Sequence, residues 1–234
     1  MIRLLALASL LLGSVCAAGT PLAPFSASYV VQRNGKDLGS MRMTLAAAGE
    51  GRWQFESHTR GTSGMASLLK VSIQEQSTLR YEQGSYVSEA YRYPQDMLGR
   101  HRSRDFQRGA DGSIAERDND KSWRYTASGP VLDRHAVVLA IAEALRDGAV
   151  LQGEIALPVV SKGKVESWRF RVAGEESVDT ALGALRAVRV ERIREDSKRT
   201  TVSWHAPQHA YLPVKVEQVE PDGERLVSVL SRMQ

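Results

Sequence analysis

The chain has 234 residues, of which 42% are hydrophobic and 25% are charged, and its formal net charge is +4. These fractions are typical of an ordinary globular protein, and the charge is too small to favour a nucleic-acid partner. Beyond the N-terminal segment no apolar run approaches the roughly 20 residues of a membrane-spanning helix, so we expect no transmembrane segment in the mature chain.

The N-terminal segment, residues 1–18, has the features of a secretory signal peptide. A positive charge at Arg3 precedes the apolar stretch Leu4–Leu12, and Ala17 and Ala18 form a small-residue cleavage site. The sole cysteine, Cys16, has Val15 and Gly13 where a lipid-attachment motif wants a small residue and a leucine, so a lipoprotein is the alternative to a cleaved signal peptide. Cleavage after Ala17 or Ala18 removes Cys16, which leaves no cysteine for a disulfide, thiol catalysis or a zinc site. We therefore expect an exported protein with a single β-rich domain over residues 19–234.

From Pro24 onward, short stretches of alternating apolar and polar residues, separated by turn residues, predict antiparallel strands. Asn34-Gly35 predicts a type I′ hairpin, because both central residues of that turn need a positive φ. In the returning strand, Met41 and Met43 lie on the same face. The pattern as a whole predicts a mostly β fold, with an antiparallel curved sheet that forms a roll or half-barrel.

One segment, residues 132–148, departs from this alternation and has apolar residues at helical spacing. Asp133 is placed to cap its N-terminus, Leu132 and Val137 to form a hydrophobic staple, and Gly148 to end it in a left-handed conformation. We therefore predict one principal helix, about residues 133–147, that packs on the sheet or plugs it.

Two short motifs bear a partial likeness to metal and catalytic sites. His205 and His209 have helical ligand spacing, but Pro207 between them argues against a continuous helix. Ser63 lies in half of a nucleophile-elbow motif without the strand, turn and helix that the motif requires. Neither motif predicts a site, so we expect no metal and no cofactor.

Two pairs of acidic residues lie on predicted strands. Glu75 with Glu89, or Asp179 with Glu191, would have to meet across the sheet before hydrolysis by paired carboxylates could be argued. The sequence alone does not place them together, and we predict no catalytic residue.

Two stretches are rich in arginine. Arg100, Arg102 and Arg104 alternate, so they would project from one strand face and hold phosphates or carboxylates of an envelope polymer. The alternative interpretation is a charged edge strand that discourages aggregation. The later run Arg186–Arg199 alternates with acidic residues and predicts a solvent-exposed hairpin with cross-strand ion pairs.

Four tryptophans, each on a separate predicted strand, are either core residues or the lining of a cavity or sugar-stacking groove. These are Trp53, Trp123, Trp168 and Trp204. The segment Gly61–Ile73 is either a short amphipathic turn or an apolar flap over an opening. For an apolar ligand we predict contacts from Trp53, Met65, Leu68, Leu69 and Trp123, with Arg100, Arg102 and Arg104 binding its anionic part.

Several segments together resemble the bacterial domain of unknown function family 3108. They are Phe25–Tyr29, the Gly35–Gly39 hairpin, Asp133–Leu145, Val178–Val190, Ser203–Ala206 and Tyr211–Val216. The resemblance covers nearly the whole mature chain and implies an exported, β-rich protein of Gram-negative bacteria with no catalytic motif. The architecture also resembles that of periplasmic lipoprotein carriers, whose half-barrel sheet surrounds a lipid pocket, which is an analogy of fold and not of function.

Three functions are compatible with these features. The leading hypothesis is a non-catalytic periplasmic protein that binds an envelope component, either an amphipathic ligand such as a lipid or glycan, or a partner protein. The alternatives are an interaction or quality-control scaffold without a ligand cavity, and an envelope-polymer hydrolase whose acids converge only in three dimensions.

Overall fold

The computed structural model describes residues 19–64, 72–97, 100–148, 153–195 and 197–234. Within these ranges the chain forms 14 β-strands, the helix α1 and one short 3-10 helix. The elements are β1 (Phe25–Arg33), β2 (Lys36–Ala47), β3 (Arg52–Gly61), β4 (Ser72–Glu82), β5 (Ser85–Met97), β6 (Arg100–Arg108), β7 (Ser113–Asp118), β8 (Lys121–Thr126), α1 (Val137–Arg146), β9 (Gly153–Ser161), β10 (Lys164–Thr180), β11 (Gly183–Ile193), β12 (Thr200–Ala206), the 3-10 helix (Pro207–His209), β13 (Leu212–Val219) and β14 (Arg225–Met233). None of the helices in these ranges has the length and apolar character needed to cross a membrane.

All the strands belong to one antiparallel sheet in the order β8-β7-β6-β5-β4-β3-β2-β1-β14-β13-β12-β11-β10-β9. Two meanders, β1 to β8 and β9 to β14, therefore meet where the first strand pairs with the last. The connection that contains α1 links β8 to β9, the two outermost strands of the sheet. This order confirms the predicted mostly β fold with one principal helix.

The sheet curls so that its two outer regions touch. Glu116 of β7 accepts hydrogen bonds from the backbone N–H groups of Lys162 and Gly163, in the turn between β9 and β10. The segment that precedes α1 also bridges the two sides: Ser88 of β5 donates its N–H to Val131, and Leu132 pairs in parallel with Val159 of β9. The result is a barrel-like roll around α1.

The helix α1 fills the interior of this barrel. Leu139 and Leu145 have no exposed surface, and Ile141 is 4% exposed. The helix contacts β5, β9 and β13, and its side chains join strand residues such as Phe55 and Leu230 in the main core. Of the two predicted arrangements, packing on the sheet or plugging it, the structure shows the second.

The predicted C-terminal end of the helix is confirmed, whereas the regular helix begins later than predicted, at Val137, and its N-cap is Ala136 rather than Asp133. Asp133 Oδ1 accepts the N–H groups of His135 at 2.8 Å and Ala136 at 3.0 Å, as a capping carboxylate does. Asp133 is also tied to Ser88 of β5, so residues 134–136 form a turn before the regular helix begins. Gly148 ends the segment with a φ of 68°.

Two local features of the strands were predicted correctly, and the position of one strand in the sheet was not. Asn34 and Gly35 both have positive φ, 49° and 76°, as a type I′ turn requires. Pro213 lies at the beginning of β13, where its missing N–H is tolerated, and its carbonyl accepts the hydroxyl of Tyr29 at 2.9 Å. The interpretation of the strand containing Arg102 as an edge strand is wrong, because β6 lies between β5 and β7.

Candidate functional site

A cleft of about 290 Å³ opens at one mouth of the barrel, where β6 and β7 face β9, β10 and β11. We call it the mouth cleft; its walls include Tyr91, Phe106 and Trp168, and the start of the α1 segment forms its floor. The basic side chains that line it are Arg104, Arg117, Arg134, Lys162, Arg192 and Arg199. The acidic side chains that line it are Asp105, Glu116, Asp118, Asp133 and Glu166.

Two of these cations are neutralised within the wall. Arg104 Nε lies 3.1 Å from Asp118, and both side chains are largely buried. Arg117 lies 2.5 Å from Asp105 across the pair of strands β6 and β7. Since each cation has its own carboxylate, these pairs shape the wall and add little net charge.

Two further acids are committed to other partners. Glu116 accepts the N–H groups of Lys162 at 2.6 Å and Gly163 at 2.7 Å, which fixes the turn between β9 and β10. Glu166 accepts the indole N–H of Trp168 at 3.3 Å and lies 3.3 Å from Lys164. These carboxylates hold the walls of the cleft together.

Arg192 is the most unusual cation of the mouth cleft. Its guanidinium carbon lies 3.3 Å from the ring centroid of Trp168, and its Nε is buried without a hydrogen-bond partner in the part of the chain that the structure describes. Burial, together with the charges of Arg194 and Arg199 and against that of Glu166, lowers the pKa of Arg192 to about 10. A half-buried cation among like charges is an unfavourable arrangement that an anion would relieve.

Two other cations face the cleft without a carboxylate of their own. Arg134 and Lys162 are exposed, and neither forms an ion pair within the described ranges. Arg199, by contrast, lies 2.8 Å from Glu220. With Arg192, the cleft therefore has more free cations than free carboxylates, so it can bind an anionic group through charge-assisted hydrogen bonds.

A buried cluster of hydrogen bonds lies beneath the floor of the cleft. Ser77 Oγ is 3.0 Å from Asp133 Oδ1 and 3.0 Å from His135 Nδ1, and Asp133 also accepts the hydroxyl of Ser88 at 2.8 Å. His135 stacks on Phe55 with the ring centroids 4.1 Å apart, and burial lowers its pKa. In a serine hydrolase the carboxylate orients the histidine in an open site. Here the carboxylate binds the serine and all three side chains are buried, so the cluster secures the start of α1.

The residues predicted to bind a ligand are only partly brought together. Arg104 lines the mouth cleft, whereas Arg102 and Trp123 line an adjoining groove. Trp53 packs in the main core, edge-on to Tyr86 at 6.2 Å between ring centroids. Met65, Leu68, Leu69 and the side chain of Arg100 lie outside the described residues.

The acidic pairs considered from the sequence do not meet. Glu75 accepts the hydroxyl of Tyr91 at 2.6 Å on the inner side of the sheet. Glu89 instead pairs with Arg52 and Arg80 on the outer side. Likewise, Glu191 lies 2.5 Å from Arg189, whereas Asp179 is opposite Ala184 in the β10–β11 ladder.

The two partial motifs also have structural partners. His205 is fully buried, with Nδ1 2.8 Å from the carbonyl of Tyr211 and Nε2 2.8 Å from Ser203 Oγ, and burial lowers its pKa to about 4. Ser63 donates its hydroxyl to the carbonyl of Asp37. No group of three or more His, Cys, Asp or Glu side chains within the described ranges has an arrangement that fits a metal ion.

The stacking of Arg192 on Trp168 was not predicted, although the alternation of residues along the two strands indicates it. Val188, Val190 and Arg192 alternate along β11, and the two valines are buried. Arg192 therefore continues an inward-facing row, as Trp168 does beside the buried Phe170 in β10. The basic run was instead interpreted as wholly solvent-exposed, which holds for Arg186 but is wrong for Arg192.

Comparison with known proteins agrees with this architecture. A crystal structure of a beta-barrel-like protein of the domain of unknown function DUF1849 from Brucella abortus is similar, with a TM-score of 0.59 and 9% sequence identity. The similarity covers 92% of this chain and 98% of that chain, and at this identity it shows the fold alone. No curated protein matches the sequence. The protein of unknown function family DUF3108 matches residues 25–230, and the chain therefore belongs to that family.

Proposed function

We propose that the protein is a non-catalytic binding protein of the periplasm, which holds the anionic part of an envelope component in the mouth cleft. In this proposal residues 1–18 direct export as a signal peptide, and residues 19–234 form the binding domain. The observation that supports the proposal is Arg192, which is half-buried on Trp168 and whose Nε has no hydrogen-bond partner within the described ranges.

Because α1 fills the interior of the barrel, a polar ligand in the mouth cleft is favoured over an acyl chain inside the barrel. The side chains of α1 occupy that interior, and Leu139 and Leu145 have no exposed surface. The mouth cleft, in contrast, is lined largely by charged side chains. We therefore assign Arg134, Lys162 and Arg192 to contact the ligand, with the Arg104–Asp118 pair supporting the wall.

Isothermal titration with small anionic sugars tests this proposal. Glucose 1-phosphate and galacturonic acid are the probes, and glucose is the neutral control. We expect both anionic probes to bind and to weaken as salt is added, because screening acts on exposed charges. Glucose should bind more weakly than either.

A matched pair of variants locates the site. Arg192→Gln removes the stacked cation, whereas Arg186→Gln removes an exposed arginine from the same strand, where it pairs with Glu175. We expect roughly tenfold weaker binding of glucose 1-phosphate by Arg192→Gln, about the loss of one charge-assisted contact. Binding by Arg186→Gln should match the wild type. The proposal is wrong if neither anionic probe binds or if the two variants lose affinity equally.

The proposed location is tested separately on the protein produced in its host. N-terminal sequencing of the periplasmic fraction should give a chain that begins after Ala17 or Ala18. Native mass spectrometry of the same material should retain an anionic component, released by organic extraction. A full-length chain confined to the cytoplasm would contradict this location.

A further inference from the structure

The mouth cleft does not end at Lys162. A second space of about 360 Å³, which we call the outer groove, lies beside it along the turn between β7 and β8. Asp118 and Lys162 line both spaces, so the two adjoin at these side chains. The other residues that line the outer groove are Arg102, Asn119, Asp120, Lys121 and Trp123.

An indole side chain is present in each of the two spaces. Trp168 lines the mouth cleft and Trp123 lines the outer groove. Trp123 is held against the turn at Gly163, where an added Cβ would lie only 2.4 Å from its ring. Glu116 fixes this turn through two backbone N–H groups. The position of Trp123 therefore depends on the same turn that carries Lys162 into both spaces.

The chemistry along this path fits a carbohydrate. The apolar face of a sugar ring packs on an indole, whereas its hydroxyl groups need the hydrogen-bonding partners that Asn119 and Asp120 offer. Cations lie along the path between the two indoles, with Arg192 at one end, Lys162 at the junction and Arg102 in the outer groove. A neutral sugar would leave these cations without partners, but acidic groups on successive sugars would satisfy them.

We propose that the mouth cleft and the outer groove together bind an acidic oligosaccharide longer than one sugar unit, with a sugar ring on Trp123 and anionic groups facing Arg192, Lys162 and Arg102. Because Arg192 already lies on the ring of Trp168, Trp168 positions this cation and the sugar ring is assigned to Trp123. This inference rests on the proposed function and extends it, because it names the ligand class and adds a second subsite. Trp123 and Arg102 bind only the longer ligand, and the mouth cleft binds a single acidic sugar without them.

Titration with tetragalacturonate and with galacturonic acid tests this extension. In the wild type we expect the tetramer to bind at least roughly tenfold more tightly than the monomer, because a tethered second contact benefits from a high effective concentration. Trp123→Ala should abolish most of this gain and leave the monomer affinity unchanged. Arg102→Gln, at an exposed position, should reduce the gain with little effect on folding. Lys36→Ala, at the exposed beginning of β2, serves as the surface-charge control.

Two further probes separate sugar recognition from charge alone. Tetraglutamate carries a similar number of carboxylates without sugar rings, so its affinity should be insensitive to Trp123→Ala. Vesicles of phosphatidylglycerol present a lipid phosphate, and we expect them to bind more weakly than tetragalacturonate at equal anion concentration. Circular dichroism of each variant confirms that it folds, and Trp123→Phe keeps a ring at this position if Trp123→Ala does not fold.

The outcomes distinguish the two proposals. If the monomer binds but the tetramer binds no more tightly, or if Trp123 and Arg102 variants keep the whole gain, the extended site is wrong and the proposed function stands. Preferential binding of the vesicles would also overturn the extended site. If Arg192→Gln affects no anionic probe, the proposed function fails first and the extension fails with it.

Discussion

At its C-terminal end α1 meets the segment that precedes β1, whereas at its N-terminal end it meets the mouth cleft. In the first region Leu22 is buried, its N–H is donated to the hydroxyl of Tyr86 at 3.1 Å, and Arg146 donates to the carbonyl of Thr20. In the second region Arg134 and Arg192 face a cleft without carboxylate partners within the described ranges.

The difference separates, along one helix, a region that stabilises the fold from the proposed binding site. The C-terminal region buries apolar surface and satisfies backbone groups, and both contribute to the free energy of unfolding. The mouth cleft instead leaves like charges close together, an arrangement that contributes little to folding. Proteins commonly give up some stability at binding sites, and substitutions in the two regions should therefore act on different measurements.

The largest effect should come from the middle of α1. Leu139→Ala removes a side chain with no exposed surface from the main core. We expect it to lower the free energy of unfolding by about 2–5 kcal/mol, since it loses apolar contacts and leaves a cavity. Urea denaturation measures this loss. Leu182→Ala is the matched control, because Leu182 is 44% exposed and should change stability by less than about 0.5 kcal/mol.

The next effect should come from the segment that covers the C-terminal end of α1. Leu22 is 1% exposed and belongs to the main core, although it lies outside any strand. Leu22→Ala should lower the free energy of unfolding by roughly 2–3 kcal/mol. Limited proteolysis should then cut the variant near this segment faster than the wild type. An unchanged unfolding curve would show that the segment does not close this end of the barrel.

Glu143 predicts a dependence on pH in the same region. Burial raises the pKa of Glu143 from 4.5 to about 7, which the N–H of Tyr86 and the charge of Arg146 only partly oppose. The folded state therefore holds this proton more tightly than the unfolded state, so the stability it contributes is present below about pH 4.5 and is lost as the pH rises through about 7. As the pH rises from about 5 to about 8, the free energy of unfolding of Glu143→Gln should increase by roughly 1–3 kcal/mol relative to that of the wild type.

The difference in stability between the wild type and Glu143→Gln reports the titration of Glu143 alone. Buried His205, whose pKa is about 4, has the opposite dependence on pH, but it is present in both proteins and cancels in the difference. Urea denaturation at several pH values gives the difference in the free energy of unfolding. A difference that stays constant with pH would mean that the carboxyl group of Glu143 is ionised throughout.

The smallest effect on stability should come from the mouth cleft. Arg192→Gln removes a cation–π contact with Trp168, and it also removes the repulsion from Arg194 and Arg199. Because these terms oppose each other, we expect the free energy of unfolding to change by less than about 1 kcal/mol. The same variant is expected to weaken anion binding. A large loss of stability would instead make Arg192 a structural residue.

Much of the fold could be predicted from the sequence because its signals are local. Alternation along each strand, the positive φ at Asn34-Gly35 and the helical spacing after Asp133 each depend on a few neighbouring residues. The pairing of β1 with β14 has no such signal, since its partners lie at opposite ends of the chain. The edge-strand interpretation of the residues around Arg102 was wrong for the same reason.

The candidate site could be predicted only in part, because it is assembled from distant strands. Arg104 and Trp123 were identified from composition and alternation, and both line one of the two adjoining spaces. Arg192 was grouped with exposed arginines, since a charge count does not show which face of a strand is buried. Trp53 has the same alternating context as Trp123 but packs in the main core.

The pairing of the first strand with the last constrains when the sheet can form. Gln234, just after β14, exchanges backbone hydrogen bonds with Ser26, each at 2.9 Å, and extends the pairing of β14 with β1. During vectorial synthesis β1 emerges first and β14 emerges last. The two meanders therefore cannot join until β14 has been synthesised, and closing so long a loop adds an entropic cost to that step. The pairing of β1 with β14, which joins the two meanders, can form only after every other strand and α1 have been synthesised.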